Sequence, residues 1–190
     1  MPEALERQTS RLLLRPWRDA DRAPFAAQNA DPEVMRYFAS LLDRAASDAM
    51  VDRLFAHWDR HGWGPWAAEL RSTGEFIGFI GVLVPRFPLP GNPGVEVGWR
   101  LGREHWGHGY ATEGGRAALD LGFGALGLQE IVAVTALGNE RSRAVMRRLG
   151  LRDAHLEFDH PGVPEGSPVR RHCLYRIDRA DWERAAPREP

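Results

Sequence analysis

A glycine-rich turn near the middle of the sequence has the residue types of a phosphate-binding loop. In the segment from Val95 to Thr112, VEVGWRLGREHWGHGYAT, an extended stretch runs into Gly-x-Gly at the start of a helical stretch. A helix N-terminus leaves unpaired N–H groups and a partial positive charge, and glycines allow the backbone to approach a pyrophosphate closely. The amides predicted to form this cradle belong to Gly107, His108, Gly109, Tyr110, Ala111 and Thr112.

The Gly-x-Gly pair alone also fits an ordinary turn, because glycine serves both purposes. Two better-known phosphate loops do not match. A dinucleotide-binding fold shows G-x-G-x-x-G soon after its first strand, and a nucleoside triphosphatase loop shows G-K-[ST]; neither pattern is present. These two classes are therefore disfavoured, while a plain turn and a different kind of phosphate loop stay open.

The elements that must position this loop predict a mixed α/β sheet. A strand, the glycine turn, a helix and a β-branched run follow one another from Val95 to Leu137, which indicates a βαβ unit with parallel pairing. A hairpin is predicted around the turn STG. The remaining predicted strands are RLLLRPW, HLEF and HCLYRI. The predicted helices begin at Asp31, at Ser47 and at Asn139, which has the residue type of a helix cap.

Composition limits the classes of partner. With 25 basic and 26 acidic side chains the net charge is -1, so no global field attracts nucleic acid or an acidic membrane. The single cysteine, Cys173, excludes an internal disulfide and suits a reducing compartment. The N-terminus lacks the pattern of a signal peptide, and no apolar run approaches ~18 residues. We expect one cytoplasmic domain over residues 1–190, as a monomer or homodimer, with no nucleic acid or membrane partner.

Two longer runs carry a specific resemblance. The run EVGWRLGREHWGHGYATEGGRAAL, followed by TALGNERSRAVMRRLGL, resembles the coenzyme A core of GNAT N-acetyltransferases, most closely the branch of the RimJ and RimL ribosomal-protein acetyltransferases. LLLRPW, IGFIG and LYRI fit the same family, so the resemblance covers nearly the whole chain. One position departs from it: the phosphate loop usually begins with Arg or Gln, and here the residue is Trp106.

The resemblance implies a fold, a reaction and a co-substrate. The fold is α/β (also described as α+β), a single-domain GNAT fold whose mixed, mostly antiparallel sheet is split in a V between the fourth and fifth strands and flanked by helices. The reaction is direct transfer of the acetyl group of acetyl-CoA to a primary amine, either a peptide N-terminus or a small molecule, with no metal. Main-chain groups of Trp99 and Leu101 would hold the pantetheine arm, and an N–H near Val97 would stabilise the developing oxyanion.

Two residues are candidates for proton transfer. Strand alternation places Glu96 on the face opposite Val95, Val97 and Trp99, and the resemblance puts it beside the reacting carbonyl, where it is the candidate general base. The alternative is an ion pair between Glu96 and a surface arginine. Ser142 occupies the place from which a hydroxyl could protonate the leaving thiolate; the alternative is an ordinary serine of the first helical turn.

Other interpretations stay open at this point. Asn139 could donate to the pantetheine amides, cap its helix, or do both. His57 and His61 have the spacing of a zinc helix, but no glutamate follows His57 and no third ligand is evident, so we expect no metal site. The alternative functions are a non-catalytic acyl-CoA sensor and a nucleotide-binding regulator.

Overall fold

The structure, a computed structural model, describes residues 6–91 and 93–185. Within these ranges the chain forms eight strands and five α-helices. The strands are β1 (Arg7–Gln8), β2 (Leu12–Arg15), β3 (Trp66–Leu70), β4 (Phe76–Leu83), β5 (Glu96–Leu101), β6 (Glu130–Ala136), β7 (Arg152–Asp159) and β8 (Arg171–Asp178). The helices are α1 (Arg22–Ala30), α2 (Arg44–His61), α3 (Tyr110–Asp120), α4 (Glu140–Arg148) and α5 (Arg179–Ala185).

The strands form one sheet in the order β1-β2-β3-β4-β5-β6-β8-β7. Every neighbouring pair is antiparallel except β5 and β6, which are parallel because α3 crosses between them. The predicted hairpin of β3 and β4, the βαβ unit and the closing pair of β7 and β8 are confirmed.

The sheet separates between its two parallel strands. In the part of the chain that the structure describes, only Glu96 and Val132 are in register across β5 and β6, and the Val132 N–H donates to the Val95 carbonyl at 3.2 Å. Beyond that point the two strands diverge. The V-shaped split predicted from the resemblance is therefore confirmed. It lies between the fifth and sixth strands in chain order, since the short strand Arg7–Gln8 counts as the first.

Helix α3 packs closely on the sheet, and this sets the position of the glycine loop that precedes it. A Cβ at Gly114 would lie 2.5 Å from Ile80 Cδ1 of β4, and a Cβ at Gly115 would lie 2.7 Å from Leu149 Cδ1 after α4. Two successive glycines thus allow α3 to pack between the strands and α4. Helices α1 and α2 pack together on the opposite face of the sheet, where Phe25 of α1 is fully buried.

Two helix predictions differ from the structure. The segment after Asp31 is a series of turns rather than a helix: Asp31 Oδ1 accepts from the Glu33 N–H at 2.7 Å, and the later Phe38 N–H donates to the Met35 carbonyl at 2.9 Å. The Asp31 side chain competes with helix formation here, because it accepts from a backbone N–H only two residues further on. Helix α2 begins at Arg44 rather than Ser47, because Asp43 Oδ1 caps it by accepting from the Ala46 N–H at 2.8 Å.

Candidate active site

The split between β5 and β6 opens into a cleft of about 2020 Å³. Its walls come from β5, the glycine loop, the first turns of α3 and α4, and the turns that follow α1. Most residues singled out in the sequence line this cleft. They are Glu96, Val97, Trp99, Leu101, Trp106, Gly107, Gly109, Tyr110, Ala111, Thr112, Asn139 and Ser142. His108 is the exception and lies outside the lining.

The free edge of β5 faces the cleft. The Gly102 N–H donates to the Ile77 carbonyl of β4 at 3.0 Å, and the register of the two strands continues without a bulge. Main-chain groups alternate in direction along a strand. Those of Trp99 and Leu101 therefore point away from β4, into the split, as the predicted interaction with the pantetheine arm requires. The Val97 N–H points the same way but belongs to the bridge with Val132.

Trp106 closes the end of this edge. Its indole Nε1 donates to the Leu101 carbonyl at 2.9 Å, and the Arg141 guanidinium lies 4.6 Å from its ring centroid. One main-chain acceptor of the predicted pantetheine site is thus already bonded within the protein. The tryptophan ties the end of β5 to α4, and this packing role explains how an aromatic residue fits at the beginning of the loop.

The glycine loop has the backbone geometry of an anion cradle. Gly107 and Gly109 have positive φ angles of 80° and 84°, and α3 begins immediately afterwards at Tyr110. Within the described ranges, no hydrogen bond occupies the five successive N–H groups from 107 to 111. The Thr112 N–H, in contrast, donates to the Gly109 carbonyl at 3.1 Å. Five of the six predicted amides are therefore free to donate to a ligand.

A hydrogen-bonded clamp that the sequence analysis missed holds the loop in place. Glu113 Oε1 accepts from Thr9 Oγ1 at 2.6 Å and from the Arg11 N–H at 2.8 Å, and Glu113 Oε2 accepts from Arg11 Nε at 2.7 Å. Although burial opposes ionisation, the hydrogen bonds from Thr9 and Arg11 keep the pKa of Glu113 below its ordinary value. Arg11 Nη1 also donates to the His108 carbonyl at 2.9 Å, so the clamp holds both sides of the loop.

The start of α4 brings Asn139 and Ser142 to the opposite wall. Asn139 Oδ1 accepts from the Ser142 N–H at 3.2 Å, and Asn139 Nδ2 donates to Thr135 Oγ1 at 3.0 Å. Asn139 thus caps the helix. The hydroxyl of Ser142 is half-buried and makes no hydrogen bond to any residue that the structure describes.

Glu96 lies at the apex of the split, on the same face of β5 as Arg100. It forms no ion pair with the residues in ranges 6–91 and 93–185, so the alternative of a surface pair with arginine is not found. Burial raises the pKa of Glu96 from 4.5 to about 7. A carboxyl group with this pKa can take up and release a proton near neutral pH.

His57, the first histidine of the zinc-helix spacing, is held by hydrogen bonds within the protein. His57 Nε2 accepts from the Val84 N–H at 3.1 Å and His57 Nδ1 lies 3.0 Å from the Trp63 carbonyl, so both ring nitrogens are engaged. In the described part of the chain, no group of three or more His, Cys, Asp or Glu side chains is arranged to hold a metal ion. Within the same ranges no helix has the length and apolar character to cross a membrane.

Comparisons with known proteins agree with this geometry. Residues 11–152 match the model of the acetyltransferase (GNAT) domain. The chain is 33% identical to the FsC-acetyl coenzyme A-N(2)-transacetylase of Aspergillus fumigatus, over 93% of this chain and 77% of the relative. A crystal structure of an acetyltransferase from Agrobacterium tumefaciens is 31% identical, with a TM-score of 0.72 over 90% of this chain and 93% of that one.

A further structure agrees in fold alone. The spermidine N-acetyltransferase of Vibrio cholerae, solved with CoA and spermine, is 18% identical, with a TM-score of 0.72 over 92% of this chain and 99% of that one. The matched family model spans strands β2 to β6, the glycine loop and α4, and so includes both strands of the split. The chain belongs to the GNAT family of acetyltransferases.

Proposed function

We propose that the protein transfers the acetyl group of acetyl-CoA to a primary amine by direct attack, with Glu96 as the general base. The observation that carries this proposal is the position of Glu96. Its carboxyl group lies where β5 and β6 separate, has no ion-pair partner among the described residues, and has its pKa raised by burial to about 7.

The chemistry requires a base with such a pKa. An amine attacks only in its neutral form, whereas a lysine-like ammonium has a pKa of ~10.4 and an α-ammonium about 8. Glu96, directly or through one water molecule, would take the proton as the amine attacks. A base with a pKa near neutral combines a large ionised fraction with sufficient basicity.

The remaining cleft residues fit the co-substrate. The main-chain groups of Trp99 and the N–H of Leu101 would pair with the pantetheine arm, and a backbone N–H near Val97 would donate to the thioester oxygen. The five unoccupied amides after Trp106 would donate to the pyrophosphate. Asn139 keeps one amide N–H and one lone pair for the pantetheine after capping α4. Ser142 would protonate the leaving thiolate.

The acceptor is either a peptide N-terminus or a small molecule. The motif runs that resemble the RimJ and RimL branch favour a peptide α-amine. The Aspergillus fumigatus relative is named FsC-acetyl coenzyme A-N(2)-transacetylase, and a small-molecule amine is the other candidate acceptor. Both acceptors present a primary amine to Glu96 and use the same cleft.

The test is free-thiol release from acetyl-CoA in the presence of peptides with free N-termini, amino acids, polyamines and aminoglycosides. CoA binding is measured separately by calorimetry. Amine-dependent release supports the proposal and identifies the acceptor class. Tight CoA binding with no release from any amine would contradict it and would favour the non-catalytic sensor.

A further inference from the structure

Arg100 is a buried cation for which the described residues provide no counter-ion. Its side chain lines the cleft, only 8% of the residue is exposed, and its guanidinium pairs with no carboxylate in ranges 6–91 and 93–185. Arg15 is a useful contrast. It is 3% exposed and has Asp21 and Glu69 at 2.8 Å. Buried charges are normally paired in this way, because leaving a charge unpaired in the interior is costly.

The surroundings of Arg100 stabilise its charge without satisfying its donors. The guanidinium carbon lies 4.0 Å from the Phe38 ring centroid and 5.8 Å from that of Phe25, distances at which cation–π attraction operates. Nη1 donates to Asn29 Oδ1 at 2.6 Å, whereas Nε is buried with no partner among the described residues. Burial lowers the pKa of Arg100 to about 10, so the group stays charged at neutral pH.

An open surface joins Arg100 to Glu96. Both side chains project from the same face of β5, with Gly98 between them. Among the described residues, a Cβ at Gly98 would have Leu83 Cδ2 at 3.8 Å as its one neighbour within 4 Å, so none of them fills this part of the face. Four residues of strand separate the α-carbons of Glu96 and Arg100 by roughly 13 Å. The face forms a trough with a base at one end and a cation at the other.

The same side of the cleft carries further positive charge. Arg53 and Arg86 line it, and neither pairs with a carboxylate of the described residues. Burial, together with the charge of Arg86, lowers the pKa of Arg53, which indicates that the two guanidinium groups are near each other. A polycationic acceptor would meet repulsion at this wall. An acceptor with an anionic group would meet attraction.

We propose that the acceptor is an amine that also bears a carboxylate, and that this carboxylate binds Arg100 while the amine reaches Glu96. The proposal rests on the proposed acetyl transfer and specifies its substrate class. A carboxylate accepts two N–H groups of a guanidinium side by side, and Nε of Arg100 has no partner among the described residues. The length of the trough favours elongated acceptors, in which several bonds separate the amine from the carboxylate.

Matched acceptors test the proposal with the unaltered enzyme. The kcat/KM of thiol release is measured for 4-aminobutyrate, 6-aminohexanoate and lysine, and for the amide of each. Hydrogen bonds to a buried charge should raise kcat/KM for an acid over that for its amide by roughly 10- to 100-fold. We expect this preference for each acid over its amide, and poor turnover of spermidine. Equal kcat/KM values for acids and amides would overturn the proposal without affecting acetyl transfer itself.

The variant Arg100→Met tests the assignment of the residue. We expect the ratio of kcat/KM for each acid to kcat/KM for its amide to fall to about one, with the KM for acetyl-CoA unchanged. Arg60→Met, an exposed α2 position outside the cleft lining, is the matched control and should keep the wild-type ratio. A preference that persists in Arg100→Met would overturn the role of Arg100. Absence of release with every amine in the wild-type enzyme would overturn acetyl transfer and this inference together.

Discussion

The raised pKa of Glu96 predicts a measurable pH dependence of stability, whatever the acceptor. The folded protein keeps the Glu96 proton up to about pH 7, whereas the unfolded chain releases it near the ordinary value of 4.5. Between these two values the folded state binds more protons than the unfolded state. The contribution of Glu96 to stability therefore falls as pH rises through this window and is constant above it.

The magnitude follows from the shift. Moving the pKa from 4.5 to about 7 corresponds to about 3 kcal/mol of unfolding free energy lost between those pH values. The variant Glu96→Gln has no proton to lose and escapes this cost. The difference in melting temperature between Glu96→Gln and wild type should therefore change with pH. For a chain of this size, it should shift by roughly 6–12 °C in favour of Glu96→Gln between pH 4.5 and pH 8.

Thermal unfolding of the two proteins, followed by circular dichroism at several pH values, measures this difference. Glu157→Gln is the control, because Glu157 lies on β7 outside the cleft lining and is half exposed beside Arg171. Its melting temperature should follow that of wild type at every pH. A constant difference between Glu96→Gln and wild type across the range would refute a raised pKa for Glu96, and with it the assignment of a base poised near neutral pH.

Three further predictions concern stability and turnover. Arg15→Met should lower the unfolding free energy by about 3–5 kcal/mol in urea titrations, because it leaves Asp21 buried without its cation. Arg100→Met leaves no carboxylate of the described residues unpaired and should lower the unfolding free energy far less. Equal losses in the two variants would contradict this contrast. Gly114→Ala should cost roughly 1–3 kcal/mol in the same titrations, because its Cβ would overlap a side chain of β4, and an unchanged midpoint would show that α3 can shift. Ser142→Ala should reduce kcat roughly 10²-fold with the KM for acetyl-CoA unchanged, and wild-type turnover would remove Ser142 as the proton donor.

Local patterns were sufficient for the elements around the cleft. The alternation in VEVGWRL predicted which side chains of β5 share a face with Glu96, and Gly107 and Gly109 predicted a loop whose amides stay free before α3. The residue type of Asn139 is typical of a helix cap, one of the two roles left open for it, because capping depends on residues three positions apart. These features depend on residues close together in the chain, so they can be predicted from a single sequence.

The features that the sequence did not reveal depend on distant contacts. Thr9 and Arg11 meet Glu113 across more than a hundred residues, so no local pattern predicts the clamp on the loop. In the sequence, Arg100 has no feature that distinguishes it from other strand arginines. In the structure, its guanidinium donates to Asn29 rather than to a carboxylate. The charge balance of the whole chain likewise conceals the positive wall formed by Arg53 and Arg86.

The most direct test of the central claim is the steady-state turnover of Glu96→Gln with the best acceptor from the amine panel, together with its CoA dissociation constant by calorimetry. We expect kcat to fall roughly 10²-fold or more, and the rise of wild-type turnover through pH 7 to disappear, while the dissociation constant for CoA stays within about twofold of wild type. Wild-type turnover and an unchanged pH profile in Glu96→Gln would contradict the claim that Glu96 removes the proton from the attacking amine.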